Sequence, residues 1–279
     1  LSFLYDNEKF GGDFPLNSWI ICTEKMANRL NPAQKKIIVR DVQESVAKIS
    51  NIFYRDYTEK EKMNFNVPVF GENCQIGNNV TIENGVTIGK NVKINHGAVV
   101  KINCIIGDGS IIGSNTVISN SILGENIYIG SNTSIGQRGF GFFLSKSNIN
   151  IYHIGRVLLQ SKVSIGSNCT IDRGSFSDTV IGENTYLDNL CHVAHNVEIG
   201  NNSAFAAMTG IAGSAKIGNH VLTGGQAGIA GHIKIGNNVH IAAKSGVFQS
   251  IDDGETVMGN PAVNKYKFIK NYKKIYGKK

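Results

Sequence analysis

The sequence predicts a mainly β protein: a parallel β-solenoid of six-residue repeats, with a small α/β module before it and one short helix after it. Three observations predict this. From Ile181 to Met258 an aliphatic or aromatic residue opens nearly every hexad, as in Ile181-Gly-Glu-Asn-Thr-Tyr and Ile199-Gly-Asn-Asn-Ser-Ala, with Thr223 and Asp253 as exceptions. Small residues recur at the second place (Gly182, Ala194, Gly200, Gly218, Gly236), and small or β-branched ones at the fifth (Thr185, Cys191, Val197, Ser203, Val221, Val239). The first 65 residues do not obey this rule.

Residues 1–65 read as the α/β module. Ser18-Trp-Ile-Ile-Cys22 and Lys36-Ile-Ile-Val39 have the composition of short buried strands. Asp41-Val-Gln-Glu44 is a capping box, and Val42, Val46, Ile49 and Phe53 follow at helical spacing, which predicts a helix to about Tyr57. Gly11-Gly12 marks a turn after the opening segment. So small a core leans on a neighbouring domain.

Residues 66–260 read as the solenoid. Hexads start at Phe70, slip by one at Ile118-Ser-Asn-Ser-Ile122 and resume at Leu123. A bulge absorbs such a slip. After Ile135-Gly136 the pattern stops, and residues from Gln137 to His153 form an insertion. Its Phe140, Phe142 and Phe143 either cover an apolar ligand or pack on a neighbouring coil. Ile171-Asp-Arg-Gly-Ser-Phe-Ser-Asp-Thr-Val180 is too long for one hexad and predicts a corner loop. Residues 261–279 form a basic tail, predicted as one short helix from Val263 to Tyr276.

The net charge is +7, and the last stretch concentrates Lys265, Lys267, Lys270, Lys273, Lys274, Lys278 and Lys279. The tail suits an acidic partner or is a solvated terminus. No run is long and apolar enough for a membrane span, so no stable membrane insertion is expected. The five cysteines form no C-x-x-C pair. Cys74, Cys104, Cys169 and Cys191 fall at the fifth place of a hexad, an inward position, and are expected as core thiols in a reducing compartment.

Three hexads complete a triangular coil of 18 residues, and coils stack about 4.8 Å apart. The coil length is a ruler. His195 is the third residue of its hexad. One coil on lies Gly213, and a second coil on lies Gly231, followed by His232. These residues are expected along one edge, and a histidine, a glycine N–H and the second histidine His232 in one groove suit acyl transfer, His195 taking a proton from the nucleophile and the N–H stabilising an oxyanion. Asp188, seven residues before His195, is a candidate partner for the imidazole, but it falls near a different edge. A pairing of the two is expected across a subunit interface. His192 closes its hexad and reads as structural. The histidines share no common phase, so no metal site is expected. The inward place of Cys191 favours direct attack on the acyl donor over a covalent acyl-enzyme.

The strings Ile171-Asp-Arg-Gly with Asp178-Thr, Leu187-Asp-Asn-Leu-Cys-His-Val-Ala-His195-Asn, Gly210-Ile-Ala-Gly-Ser214, Gly224-Gly-Gln-Ala-Gly-Ile-Ala-Gly-His232 and Gly259-Asn-Pro-Ala262 resemble the UDP-3-O-(3-hydroxyacyl)glucosamine N-acyltransferases of lipid A biosynthesis. The resemblance implies a left-handed parallel β-helix, a homotrimer with sites between subunits, and a cytoplasmic bacterial enzyme. It implies transfer of a 3-hydroxyacyl group from acyl carrier protein to the 2-amino group of a UDP-linked, 3-O-acylated glucosamine. No cofactor beyond the acyl carrier protein thioester, and no nucleic-acid partner, is expected. His195 matches the family's catalytic base, Asp188 its partner, Gly213 the oxyanion position and His232 the second active-site histidine. Phe3, Asn7 and Phe10 match the uracil-binding Phe, Asn and Tyr, with Phe10 replacing the Tyr. The module is shorter than the family's. Alternatives are an O-acyltransferase of the same pathway, which lacks the N-terminal module, an acetyl-CoA-dependent sugar acetyltransferase, a γ-type carbonic anhydrase and a structural solenoid.

Overall fold

The computed structural model describes residues 2–6, 14–54, 65–144 and 148–277. Asn7 and Phe10 therefore lie outside the described residues. The chain divides into two compact units, Leu1–Asp56 with Gly141–His153, and Tyr57–Phe140 with Ile154–Lys279.

In the first unit, β1 (Ser2–Leu4), β2 (Trp19–Cys22) and β3 (Lys35–Ile38) form a parallel sheet in that order. The expected strands are β2 and β3, each displaced by one residue at its start, but only β2 is buried: β3 is the edge strand, and its Ile37 and Ile38 are exposed. Helix α1 (Glu24–Ala27) follows Thr23, and helix α2 (Val42–Phe53) follows Asp41. The Asp41 carboxylate accepts the Glu44 N–H at 2.9 Å, satisfying one of the orphan donors of the first turn. The helix stops at Phe53, short of Tyr57, because Tyr54 is already extended at φ −71° and ψ 129°. Leu4, Ile20, Cys22, Met26, Ala27 and Leu30 form the small core.

The segment Gly141–His153, an insertion between hexads in the sequence, belongs to this first unit. Phe142–Phe143 pairs antiparallel with Ile149–Asn150. The Tyr152 N–H donates to Ser50 Oγ of α2 at 2.9 Å, and the Tyr152 ring lies 4.7 Å from that of Tyr54. Phe142 and Phe143 thus sit in a hairpin that packs on α2.

The second unit is a parallel β-helix. Among the described residues its strands stack in three sheets of nine, eleven and nine. Most strands are two residues long, one pointing out and one in, as in His192–Val193, Gly210–Ile211, Gly228–Ile229 and Gly246–Val247 of the third face. Inward residues of successive coils pair directly, so Val193 meets Ile211 and Ile211 meets Ile229. This makes continuous dry ladders, each fully buried aliphatic side chain contributing about 1.5–3 kcal/mol. The fifth-place residues point inward as expected, with Cys104, Cys169 and Cys191 all buried.

The corners explain the remaining places of the hexad. The fourth residue turns the chain with a positive φ, as at Asn184 (55°), Asn202 (56°) and Asn238 (56°), a region that asparagine tolerates better than most residues. Glycine at the second place lets coils close up. A Cβ on Gly182 would sit 2.5 Å from the Gly200 carbonyl carbon. Across these corners Asn201 Oδ1 accepts the Glu183 N–H and Asn219 Oδ1 accepts the Asn201 N–H, each at 2.8 Å. The register slip is absorbed beside Asn120, at φ 48°, after which Ile122 pairs with Ile105. At the far end the helix α3 (Lys265–Tyr276) is capped by Asn264, and all but Phe268 of its residues are exposed.

Candidate active site

The third face of the β-helix carries the site. Its outward residues run Thr170, His192, Gly210, Gly228, Gly246 from coil to coil. Where the side chains end, a trench begins. A Cβ on Gly210 or Gly228 would meet nothing within 4 Å, so these two glycines form a floor of bare backbone, while a Cβ on Gly246 would meet Asn260 Oδ1 at 2.7 Å. Their cavity, about 650 Å³, is lined by His192, Ala194 and His195 at one end and Gly246, Phe248 and Asn260 at the other. Phe140, 82 % exposed, also lines it. Phe140 is the aromatic of the 137–153 segment that stays with the β-helix.

His195 stands at the corner after the His192–Val193 strand. Its ring lies over Gly213, where an added Cβ would be 2.7 Å from Cε1 and 2.8 Å from Nε2. Gly213 is therefore the place on that edge where an imidazole can settle. Among the described residues no acceptor takes the Gly213 N–H, whereas its carbonyl accepts the His232 N–H at 3.1 Å. A donor left free beside an imidazole can stabilise an oxyanion.

The tautomer of His195 follows from its neighbour. His195 Nδ1 lies 3.0 Å from Asn196 Oδ1. The Asn196 amide has a fixed orientation, since Oδ1 accepts the Ser175 N–H at 3.0 Å while Nδ2 donates to the Ser177 carbonyl at 3.1 Å and its hydroxyl at 2.8 Å. Oδ1 can only accept, so Nδ1 must carry the proton. That leaves the Nε2 lone pair, on the Gly213 side, as the basic atom.

Ser175 and Ser177 belong to the overlong corner of the sequence, and its charged residues hold it in place. Arg156 donates to Asp178 from its backbone N–H at 2.7 Å and from its guanidinium at 3.0 Å, and Arg173 Nε donates to the Gly155 carbonyl at 2.7 Å. A Cβ on Gly174 would run into the Ser177 carbonyl oxygen. The Ile171-Asp-Arg-Gly…Asp178 string is thus a clamp for Asn196, and Asn196 a clamp for His195. Sequence reasoning missed Asn196. The signal was present in the extra residues of that corner, which point back toward the next coil.

The other expected residues fall as follows. Asp188 is exposed at the corner before the third face and lines a different cavity with Tyr186, Phe205 and Leu222. Within one chain the structure does not bring it to His195. His232 is exposed at φ 60°, one residue beyond Gly231, and is not among the residues lining the trench. Its place in the corner is that of Asn196 and Ser214, not that of His195. Phe3 lies in β1 of the first unit. The hydrogen bond to the Cys169 sulfur, followed by burial, pushes the Cys191 thiol well above the ordinary range, and burial raises Cys104 to about 11. Neither sulfur suits a nucleophile. Among the described residues, no group of three or more His, Cys, Asp or Glu could hold a metal ion, and no helix is long and apolar enough to cross a membrane.

A parallel β-helix of hexapeptide repeats places an imidazole and the Gly213 N–H beside an apolar trench, an arrangement suited to acyl transfer. Residues 178–213 and 214–249 match the family Bacterial transferase hexapeptide (six repeats), and residues 66–147 match GMPPB C-terminal domain. Curated relatives carry the name to which the motifs point. The chain is 52 % identical over 65 residues to the UDP-3-O-acylglucosamine N-acyltransferase of Maricaulis maris and 51 % identical over 65 residues to that of Caulobacter vibrioides, each match covering 23 % of this chain. The matched stretch spans 19 % of the length of these relatives. Among solved structures, the UDP-N-acetylglucosamine acyltransferase from Campylobacter jejuni superposes with a TM-score of 0.61 at 22 % identity, over 74 % of this chain and 86 % of that one. The Arabidopsis UDP-N-acetylglucosamine acyltransferase does so with a TM-score of 0.57 at 22 % identity, over 76 % of each. These two similarities speak to the fold.

Proposed function

We propose that the protein is an N-acyltransferase that moves a 3-hydroxyacyl group from an acyl carrier protein thioester to the 2-amino group of UDP-3-O-(3-hydroxyacyl)glucosamine, in lipid A biosynthesis. The observation that carries this reading is the oriented His195, its Nε2 facing Gly213 at one end of a glycine-floored trench. The acyl chain lies along Gly210 and Gly228, where no side chain obstructs it, toward Gly246, where the side chains of Asn260 and Phe248 stand close. The thioester carbonyl sits at the His195 end, its oxygen toward the Gly213 N–H. His195 Nε2 takes a proton from the attacking nitrogen and returns it to the departing sulfur. Holding the imidazole ready in one tautomer removes a reorganisation step from the barrier.

The active form is a homotrimer. Asp188 lines a cavity whose neighbourhood exposes Tyr186, Leu190, Met208 and Leu222, an apolar surface that suits a second copy of the chain. A neighbouring subunit would then bring Asp188 and His195 into one cleft. The lysines of α3 suit an acidic carrier protein. Phe3, with Asn7 and Phe10, would hold the uracil. The five free thiols fit a reducing cytoplasm.

The test offers the purified protein 3-hydroxyacyl thioesters of acyl carrier protein and of coenzyme A, and acetyl-CoA, each with UDP-3-O-acylglucosamine, and weighs the product by mass spectrometry. Acylation of the 2-amino group from the carrier protein supports the reading. Turnover of acetyl-CoA alone overturns it.

A further inference from the structure

Beside His195, on the side away from the trench, stands a carboxylate to which no role has been given. Asp172 ends the strand Thr170–Asp172, one coil before His192. Ile171 pairs with the inward Val193, so Asp172 and Ala194 both point outward on the third face. Its side chain is only 13 % exposed. Its ion-pair partner is His192, whose Nε2 is 3.8 Å from Asp172 Oδ2 and whose Nδ1 is 2.7 Å from Thr170 Oγ1. Among the described residues no N–H or O–H donates to the Asp172 carboxylate. The carboxylate oxygens keep some contact with solvent, so a ligand that reaches them can supply the donors that the protein does not.

Two directions meet at His195. The acyl trench runs from it toward Gly246, so the nucleophile must approach from the opposite side, where Asp172 lies. Burial raises the Asp172 carboxyl, while the charges of His192 and His195 draw it back down, which places all three in one electrostatic group.

On the acyl-transfer reading above, we propose that Asp172 is the acceptor-recognition residue, a carboxylate that hydrogen-bonds the incoming amine and selects an amino over a hydroxyl nucleophile. The amine enters as an ammonium group, with its protons directed at Asp172. One proton leaves through the carboxylate to solvent, freeing the nitrogen lone pair. The nitrogen forms a bond to the thioester carbonyl carbon, and its second proton passes to His195 Nε2. The carbon–sulfur bond breaks, and the sulfur takes that proton. The products are the amide, the free thiol and one proton in solution. An alcohol brings no ammonium protons and gains less from the carboxylate.

The test is calorimetric binding of UDP-3-O-acylglucosamine and of its counterpart with a hydroxyl in place of the 2-amine, UDP-3-O-acylglucose. The wild type is expected to bind the amine about tenfold or more tightly than the alcohol, as a charge-assisted hydrogen bond requires. Asp172→Asn, nearly isosteric, is expected to lose this preference, and Asp172→Glu to keep part of it, at unchanged thermal midpoints. Equal binding of the two sugars by the wild type, or an undiminished preference in Asp172→Asn, overturns the proposal and leaves the acyl-transfer reading standing. If neither sugar binds the wild type, the acyl-transfer reading itself fails and the proposal falls with it. A role confined to holding His192 would slow acyl transfer in Asp172→Asn without changing the amine-to-alcohol ratio, which also counts against recognition.

Discussion

His195 Nδ1 donates to Asn196 Oδ1 at 3.0 Å, and the Asn196 amide is locked by Ser175 and Ser177. Asparagine does here what an aspartate does in many hydrolytic sites: it fixes the imidazole tautomer, without adding a charge. Asn196→Ala removes this acceptor from Nδ1. The expected result is a fall in kcat of about ten- to a hundredfold with little change in KM, since the lost contact orients a group that acts in the transition state. Nitrogen NMR of the labelled imidazole should show the Nδ1–H form dominant in the wild type and mixed in the variant.

Gly213→Ala places a methyl group 2.7 Å from His195 Cε1. The imidazole must move, and it is the ring that yields, because the corner backbone is held by the Ser214 N–H to the His195 carbonyl at 2.9 Å. A displacement of this size is expected to lower kcat about a hundredfold. The thermal midpoint should change little. Steady-state kinetics beside a melting curve separates the two effects.

Gly228→Leu should act on specificity and not on folding. A Cβ at Gly228 meets nothing within 4 Å, and the side chain would stand in the trench. The variant is expected to keep its melting temperature and to shift its product toward shorter acyl chains. Mass spectrometry of products from a ladder of chain lengths checks this, and an unchanged product distribution would place the acyl chain elsewhere.

The corner loop should make stability sensitive to acid. Partial burial works to raise the Asp178 carboxyl, but hydrogen bonds from Arg156 and the charges of Arg156 and Arg173 outweigh it and hold the group below its usual range. A depressed folded-state value means that the stabilisation is complete above the unfolded-state value of about 3.9 and disappears as pH falls through the folded-state value. Asp178→Asn should therefore lower the melting temperature near neutral pH, by about 2–4 °C, and narrow the gap to wild type below pH ~3. Arg156 is half exposed, so solvent screening keeps the effect small.

Removing a corner asparagine tests the fold itself. Asn202 sits at φ 56° and its side-chain oxygen accepts from Asn184 Nδ2 at 2.9 Å. Asn202→Ala should cost about 1–2 kcal/mol, the penalty of a left-handed backbone for a residue with no local hydrogen bond to offset it. Chemical denaturation measures this. The corresponding Asn202→Gly should be nearly neutral.

The sequence by itself determined the architecture and one edge of the site. A six-residue period is a direct record of a short strand and a corner, so the inward ladders, the turn places and the alignment of His195 with Gly213 can all be counted off the chain. The helix cap at Asp41 and the strands β2 and β3 were equally legible, because caps and short apolar runs are local, although the exposure of the edge strand β3 was not. The tertiary structure decided the rest. Counting by 18 fails wherever a coil carries extra residues: Thr170 faces His192 across 22 positions, so the nearness of Asp172 to the two histidines has no signature in the period. The same extra residues carry Ser175 and Ser177 to Asn196, a contact set by the path of a loop. The 141–153 segment left the periodic pattern without revealing that its hairpin packs on α2. Periodicity encodes what repeats along the chain. The orientation of His195, the clamp that fixes it and the carboxylate beside it all arise where the repeat is broken, and there only the folded chain specifies which atoms meet.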